Sequence, residues 1–176
     1  SVIVPGTGLG DMGALWSRDG QKIAFTRGPS SGLIGAPGPY NVMIMNVDGS
    51  DIRQLTYSEG ANYLMAWMPD GVGILYTSVI RDGVSINLMN TQTGETRVLF
   101  DLNYNATVVV SPDGKGLAFE EMLPLDKYGL FVADLDGSNR KLLADGNPYI
   151  VTVPHWSPDS DWVIASVHNS EASNEF

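Results

Sequence analysis

Cysteine is missing from this 176-residue chain, so disulfides and thiolate-based metal or redox chemistry are excluded, while the redox compartment stays open. Histidine is scarce, with only His155 and His168, which argues against a zinc site, and no metal or other cofactor is expected. Basic residues are outnumbered: ten Lys and Arg face twenty Asp and Glu, a net charge of −10. Such a chain repels a phosphate backbone, so nucleic acid is not an expected partner. Long apolar runs are also lacking. Stretches such as 107–110 and 129–133 fall far short of the roughly 20 residues a membrane-spanning helix needs. No segment combines sustained helical periodicity with a cap. The first residues, Ser1-Val2-Ile3-Val4, carry neither an initiator Met nor a signal-like region, and they read as a processed, cut or incompletely known N-terminus. With 43% hydrophobic residues, the chain belongs among ordinary globular proteins.

What the sequence does contain is a repeat. Trp16-Ser17-Arg18-Asp19-Gly20 leads into Ile23-Ala24-Phe25, and Trp67-Met68-Pro69-Asp70-Gly71 into Ile74-Leu75-Tyr76. Val110-Ser111-Pro112-Asp113-Gly114 then leads into Leu117-Ala118-Phe119, and Trp156-Ser157-Pro158-Asp159-Ser160 into Val163-Ile164-Ala165. The turn aspartates are 51, 43 and 46 residues apart. A second motif keeps step with the first. Apolar segments 42–45, 86–89 and 130–133 run into Asp48-Gly49-Ser50, Thr93-Gly94 and Asp136-Gly137-Ser138. Short strands ending in Leu55, Leu99 and Leu143 follow, and each leucine has a basic residue two positions earlier, at Arg53, Arg97 and Lys141.

Each unit reads as four short antiparallel strands. Pro presets φ, Asp bonds the backbone beyond it and Gly accepts a positive φ, so these tripeptides are hairpin turns. The segments between them are β-branched, Leu-rich or aromatic, as strands require. A four-stranded unit of this length is the size of a propeller blade. In that register Trp16, Trp67, Val110 and Trp156 end the innermost strands and are expected to pack between blades. Trp162 aligns with Lys22, Gly73 and Gly116, positions that need no large side chain.

The pattern Trp-Ser-Pro-Asp-Gly-x-x-Ile-Ala-Phe, then an apolar strand, then Asp-Gly-Ser-x-x-Arg-x-Leu-Thr, resembles the WD-repeat-like blade of the TolB-type β-propeller family. The same blade occurs in the propellers of prolyl-oligopeptidase-type and tricorn-type peptidases. The resemblance covers nearly the whole chain and departs at Arg18, Met68, Val110 and Ser160. It implies an all-β propeller of four-stranded antiparallel blades.

About three and a half blades are expected, with units near 5–56, 57–100, 101–144 and an incomplete 145–176. Residues 1–4 would form the outer strand of a preceding or closing blade. An open ring leaves strand edges and apolar faces exposed, so the expectation is a single propeller domain or fragment, completed by further sequence or by other chains.

Motifs that could carry chemistry fit the repeat better than they fit a site. Gly28-Pro29-Ser30-Ser31-Gly32 matches a nucleophile elbow, but Leu33-Ile34-Gly35-Ala36-Pro37 cannot supply the helix that the elbow needs. Gly6-x-Gly8-x-Gly10 likewise lacks the following helix of a phosphate loop. The oxygen-rich runs Asp48-Gly49-Ser50-Asp51 and Asp134-x-Asp136-Gly137-Ser138 have no later bidentate Glu, and they read as hairpin turns. Asn105-Ala106-Thr107 is a glycosylation sequon that matters only in a eukaryotic secreted protein. The repeat type points instead to a bacterial periplasmic or extracellular protein.

The surface remains. The loops from outermost to innermost strand, and those joining the second strand to the third, emerge on one face. They hold Tyr40, Tyr57, Tyr63, Tyr104, Tyr128 and Tyr149. Tyrosine offers apolar area with a polar tip, as protein interfaces favour, and the Pro- and Gly-rich insertion 27–39 lies on the same face. The expected function is a non-enzymatic binding or scaffolding module for a protein or peptide partner. Its rivals are the gating propeller of a prolyl-oligopeptidase-type serine peptidase and a structural subunit of a larger assembly.

Overall fold

A computed structural model describes residues 9–29, 39–58, 60–80, 83–102, 107–124, 127–146, 149–150 and 154–168. The first four-stranded sheet holds β1 (Leu9–Trp16), β2 (Lys22–Pro29), β3 (Asn41–Asn46) and β4 (Arg53–Gln54), paired in chain order. The second holds β5 (Asn62–Trp67), β6 (Gly73–Ile80), β7 (Gly83–Asn90) and β8 (Thr96–Leu102) in the same order. The third holds β9 (Val108–Val110), β10 (Gly116–Leu123), β11 (Lys127–Asp134) and β12 (Lys141–Gly146). Two antiparallel pairs follow: β13 (Tyr149–Ile150) with β16 (Val167–His168), and β14 (His155–Trp156) with β15 (Val163–Ile164). Each four-stranded sheet is an antiparallel blade, no helix occurs among the described residues, and no described helix is long and apolar enough to cross a membrane. The chain divides into two compact units, Ser1–Val98 and Leu99–Phe176.

The hairpin between the two innermost strands is built by one hydrogen-bond device used three times. Ser17 donates its Oγ proton to Asp19 at 2.6 Å, while its Oγ accepts the Lys22 amide at 2.9 Å and Asp19 accepts the Gln21 amide at 3.0 Å. Ser111 with Asp113, and Ser157 with Asp159, repeat this arrangement. Three local bonds thus satisfy the donors that a tight turn would otherwise orphan. The hydroxyl bonds hold the carboxyls of Asp19, Asp113 and Asp159 below the usual aspartate range, helped by the backbone amides. Where Met68 replaces the serine, Asp70 compensates by accepting the Val72 and Gly73 amides directly, both at 2.8 Å.

The next turn position is left-handed in every unit, with φ of 69° at Gly20, 72° at Gly71 and 75° at Gly114. Ser160, which stands where the others have glycine, is forced to 66° and carries the strain that a Cβ meets there.

In the first unit the core lies between the first two sheets. Ala24 and Val42 meet Leu64, Ile74, Tyr76 and Met89, with Leu15, Leu55 and Trp67 closing the sides. Irregular pairing between Met12 and Leu15 in β1, and between Leu64 and Ala66 in β5, restores register before each terminal tryptophan. In the second unit Phe119 stacks on Phe131 and packs against Phe100, and Arg140 lies over the Phe100 ring while binding Glu121.

The equivalence expected of the tryptophans holds for two of them. Trp67 donates its indole N–H to the Leu15 carbonyl at 3.1 Å, and Trp156 donates to the Val109 carbonyl at 3.3 Å. Trp16 departs from the expectation, being 59% exposed, because no described strand lies on that side of β1 to cover it.

Candidate binding surface

Among the six tyrosines, Tyr40 lies in the core and not on a surface. Tyr40 is wholly buried, and its backbone bridges to Ala61 between the first two sheets. Its ring covers Gly28 so closely that a Cβ there would sit 2.1 Å from Tyr40 Cδ1. The Tyr63 ring lies 5.2 Å away, tilted by 34°, and is itself half-buried. Tyr40 therefore cements two blades and offers no side-chain surface to a partner, which corrects the expectation that it lines a rim. The Gly-x-Ser spacing that suggested an elbow has a packing cause at Gly28, since only glycine leaves room for that ring. Tyr128 is half-buried in β11 opposite Met122 and Gly146. Tyr149 contributes its backbone to β13 opposite His168; its side chain, like Tyr104 and Ser30, lies outside the described residues.

Tyr57 differs from these. It sits in the connection from β4 to β5, 79% exposed, and its hydroxyl donates to the Gln54 carbonyl at 2.9 Å. That bond fixes the ring while leaving its faces to solvent. At the same end of the second sheet Val79 is 48% exposed, with its amide bonded to the Ala61 carbonyl at 2.8 Å. Sequence reasoning passed over Val79. Its signal was the alternation in β6, where Ser78 points into a polar network and its neighbour must point away.

The support beneath these two residues is a buried polar network. Asn62 donates its amide to the Tyr40 carbonyl at 3.1 Å and to the Ser58 hydroxyl, and it accepts Ser78 Oγ at 2.8 Å. Ser78 in turn accepts the Asn87 amide at 3.2 Å. Three strands and the Tyr57-bearing connection are thereby joined, and every polar group of Asn62 is used. A satisfied buried network of this kind rigidifies the backbone that carries the surface residues.

A concavity lies beside the third sheet. It has a volume of about 310 Å³ and is lined by Ser111, Asp113, Lys115, Asp134, Lys141 and Trp156. Its charges serve the turns: Asp113 lies 3.7 Å from Lys115 Nζ and Asp134 accepts the Asn139 amide at 2.6 Å. The oxygen-rich segments behave as turns too, with Asp48 accepting the Ser50 amide and hydroxyl and Asp136 accepting the Ser138 amide. Among the described residues, no three His, Asp or Glu side chains gather as a metal site would require.

No family model matches the chain. A curated relative, dipeptidyl-peptidase 5 of Porphyromonas gingivalis, is 31% identical across 54% of this chain and 16% of its own length. Among solved structures, TolB from Acinetobacter baumannii superposes with a TM-score of 0.65 at 24% identity, covering 80% of this chain and 34% of TolB. The β-propeller domain of the trilobed protease from Pyrococcus furiosus superposes with a TM-score of 0.63 at 13% identity, covering 97% of this chain and 52% of that one. The chain thus spans about a sixth of the curated relative and between a third and a half of these solved chains.

Proposed function

Starting from a β-propeller repeat fold of the TolB type, we propose that the chain is a non-catalytic recognition module for a protein or peptide. It would act in the bacterial periplasm or outside the cell, and nucleic acid would be excluded by its charge. The observation that carries this reading is that the exposed Tyr57 precedes, and the exposed Val79 follows, a serine, Ser58 or Ser78, held by the buried Asn62. An aromatic anchor whose hydroxyl is already fixed loses little freedom on binding, which is the economy that recognition surfaces use. Selection from a displayed random peptide library tests it. Selected peptides should lose at least about tenfold in affinity to Tyr57→Ala, a hot-spot-sized effect, and little to Tyr128→Ala. Peptides indifferent to Tyr57→Ala would defeat the reading.

A second reading has its own support. The 31% identity to dipeptidyl-peptidase 5 favours the substrate-gating propeller of a serine peptidase whose catalytic groups lie in another domain. On that reading Ser30→Ala leaves peptidase turnover of the parent protein unchanged. An α/β-hydrolase segment in the same gene supports it; a gene without one removes it.

A further inference from the structure

One place in the blade repeat receives a lysine in the first blade, a neighbouring lysine in the third, and none in the second. In the first blade Lys22 opens β2 opposite Asn46, and its Nζ donates to Asn46 Oδ1 at 2.6 Å and lies 3.9 Å from the Asp51 carboxylate. Gly73 and Gly116 open β6 and β10 at the same position, opposite Asn90 and Asp134. Both of these blades carry a concavity there. In the third blade its lining includes Val132, Asp134, Asn139 and Lys141, and Lys115, next to Gly116, brings an ammonium to it. In the second blade the concavity has a volume of about 230 Å³ and is lined by Leu88 and Asn90 of β7 with Glu95 and Arg97 beside them, all from one blade. Val72 stands where the third blade has Lys115, and residues 57–100 contain no lysine at all.

The acid is nevertheless kept. Two positions before the basic residue of the outer strand, the first blade has Asp51 and the second has Glu95. Asn90 spends its Oδ1 on the Gln92 and Thr93 amides, at 2.9 and 3.1 Å. Glu95 is exposed, and its carboxylate takes part in no hydrogen bond or ion pair among the described residues, which leaves it as the charged acceptor of the cavity. Arg97 does not bar a cation. Its counterpart Arg53 shares the first blade with the Lys22 ammonium and donates to the Thr91 carbonyl of the next blade at 3.1 Å. Leu88 offers an apolar wall of the kind that methylene stems lie along. A cavity smaller than the roughly 300 Å³ at which drug-sized pockets begin suits a single side chain.

We propose that this cavity of the second blade binds one primary alkylammonium group, such as a lysine side chain carries, with the ammonium on Glu95 and the stem along Leu88. The first blade places the same group, from its own Lys22, among the same residue types. A compact point charge on a flexible stem fits a lone carboxylate, where a planar guanidinium would need a paired acceptor. The site goes beyond the recognition reading and does not depend on it, since Gly73 and Val79 stand at opposite ends of β6.

Titration of the isotope-labelled full chain with Nα-acetyl-lysine N-methylamide at low salt, followed by amide chemical shifts, tests the proposal. The Asn90 and Glu95 amides should shift saturably, and the Nε-acetylated form of the probe, which keeps the stem and removes the charge, should leave them unmoved. Glu95→Gln should weaken binding about three- to fivefold, the size of a partly exposed ion pair, with far-UV circular dichroism unchanged. Val72→Lys gives the second blade the lysine that the third has at Lys115. It should weaken the probe at least about threefold by filling the cavity from within. A parallel titration with n-pentylamine separates the sources of the group: equal affinity assigns recognition to ammonium and stem alone, tighter binding of the lysine derivative assigns it to a peptide, and the proposal stands in both cases. No saturable shift overturns it, as does equal binding of the Nε-acetylated form or undiminished binding by folded Glu95→Gln. Should that variant unfold, Val72→Lys decides in its place, and undiminished binding there refutes the site.

Discussion

Replacing Trp67 by alanine perturbs the contact that joins the first two blades. The indole is half-buried and packs, as Leu15 and Leu55 do, on the buried cluster of Ala24, Val42, Leu64, Ile74, Tyr76 and Met89, and its N–H is bonded to the Leu15 carbonyl. Full truncation of a core tryptophan costs about 3 to 5 kcal/mol. Partial exposure lowers the expectation here to about 3 kcal/mol, of which the hydrogen bond accounts for about 1 kcal/mol. Trp67→Phe separates the two contributions, retaining most of the apolar contact while leaving the Leu15 carbonyl without the indole. Trp162 is the control. It is 72% exposed, so Trp162→Ala should change stability by no more than about 0.5 kcal/mol. Urea melts followed by far-UV circular dichroism, at concentrations where the chain is monomeric, measure all three variants. If Trp162→Ala costs more than Trp67→Ala, the strand register and the assignment of blade faces are both wrong.

Met68→Ser restores the serine of the other turns, yet it should destabilise by about 2 kcal/mol in the same melts, because Met68 is buried and Asp70 already satisfies the amides that the hydroxyl would serve; a stabilised variant would refute this. Gly28→Ala should cost about 1 to 3 kcal/mol by overpacking, since the new methyl enters the Tyr40 ring, and a neutral result would show that Tyr40 is mobile. The serine-bonded carboxyls of Asp19, Asp113 and Asp159 are held below their ordinary values in the folded chain. Their stabilising effect is therefore complete above the unfolded aspartate pKa of about 4 and is lost as pH falls through the depressed folded values. Thermal melts should be flat from neutral pH to about 5 and then decline. The triple Asp→Asn variant should decline less steeply; an unchanged slope would mean that other carboxylates dominate.

The blade repeat was legible because its signals are local. A Ser-x-Asp-Gly turn satisfies its own amides within a few residues, as at Ser17 and Asp19, and alternation along a strand follows from backbone geometry alone. Strand order within each sheet follows, since short hairpins leave sequential antiparallel pairing as the simple outcome. Position along the chain could not rank the tyrosines. Tyr40 and Tyr57 both stand in connections between strands, yet Tyr40 is wholly buried and Tyr57 is 79% exposed. The difference lies in Gly28, a residue distant in sequence that leaves a hollow for one ring and none for the other. The tryptophans divide for the same reason. Trp16 and Trp67 have equivalent places in the repeat, but burial depends on whether another strand lies across the indole, as β1 lies across Trp67. Sequence by itself determined the blade, whose bonds close within some fifty residues or fewer, as the turn spacings require. Only the tertiary structure decided which aromatic rings are core and which are surface, because burial is a property of neighbours brought from elsewhere in the chain.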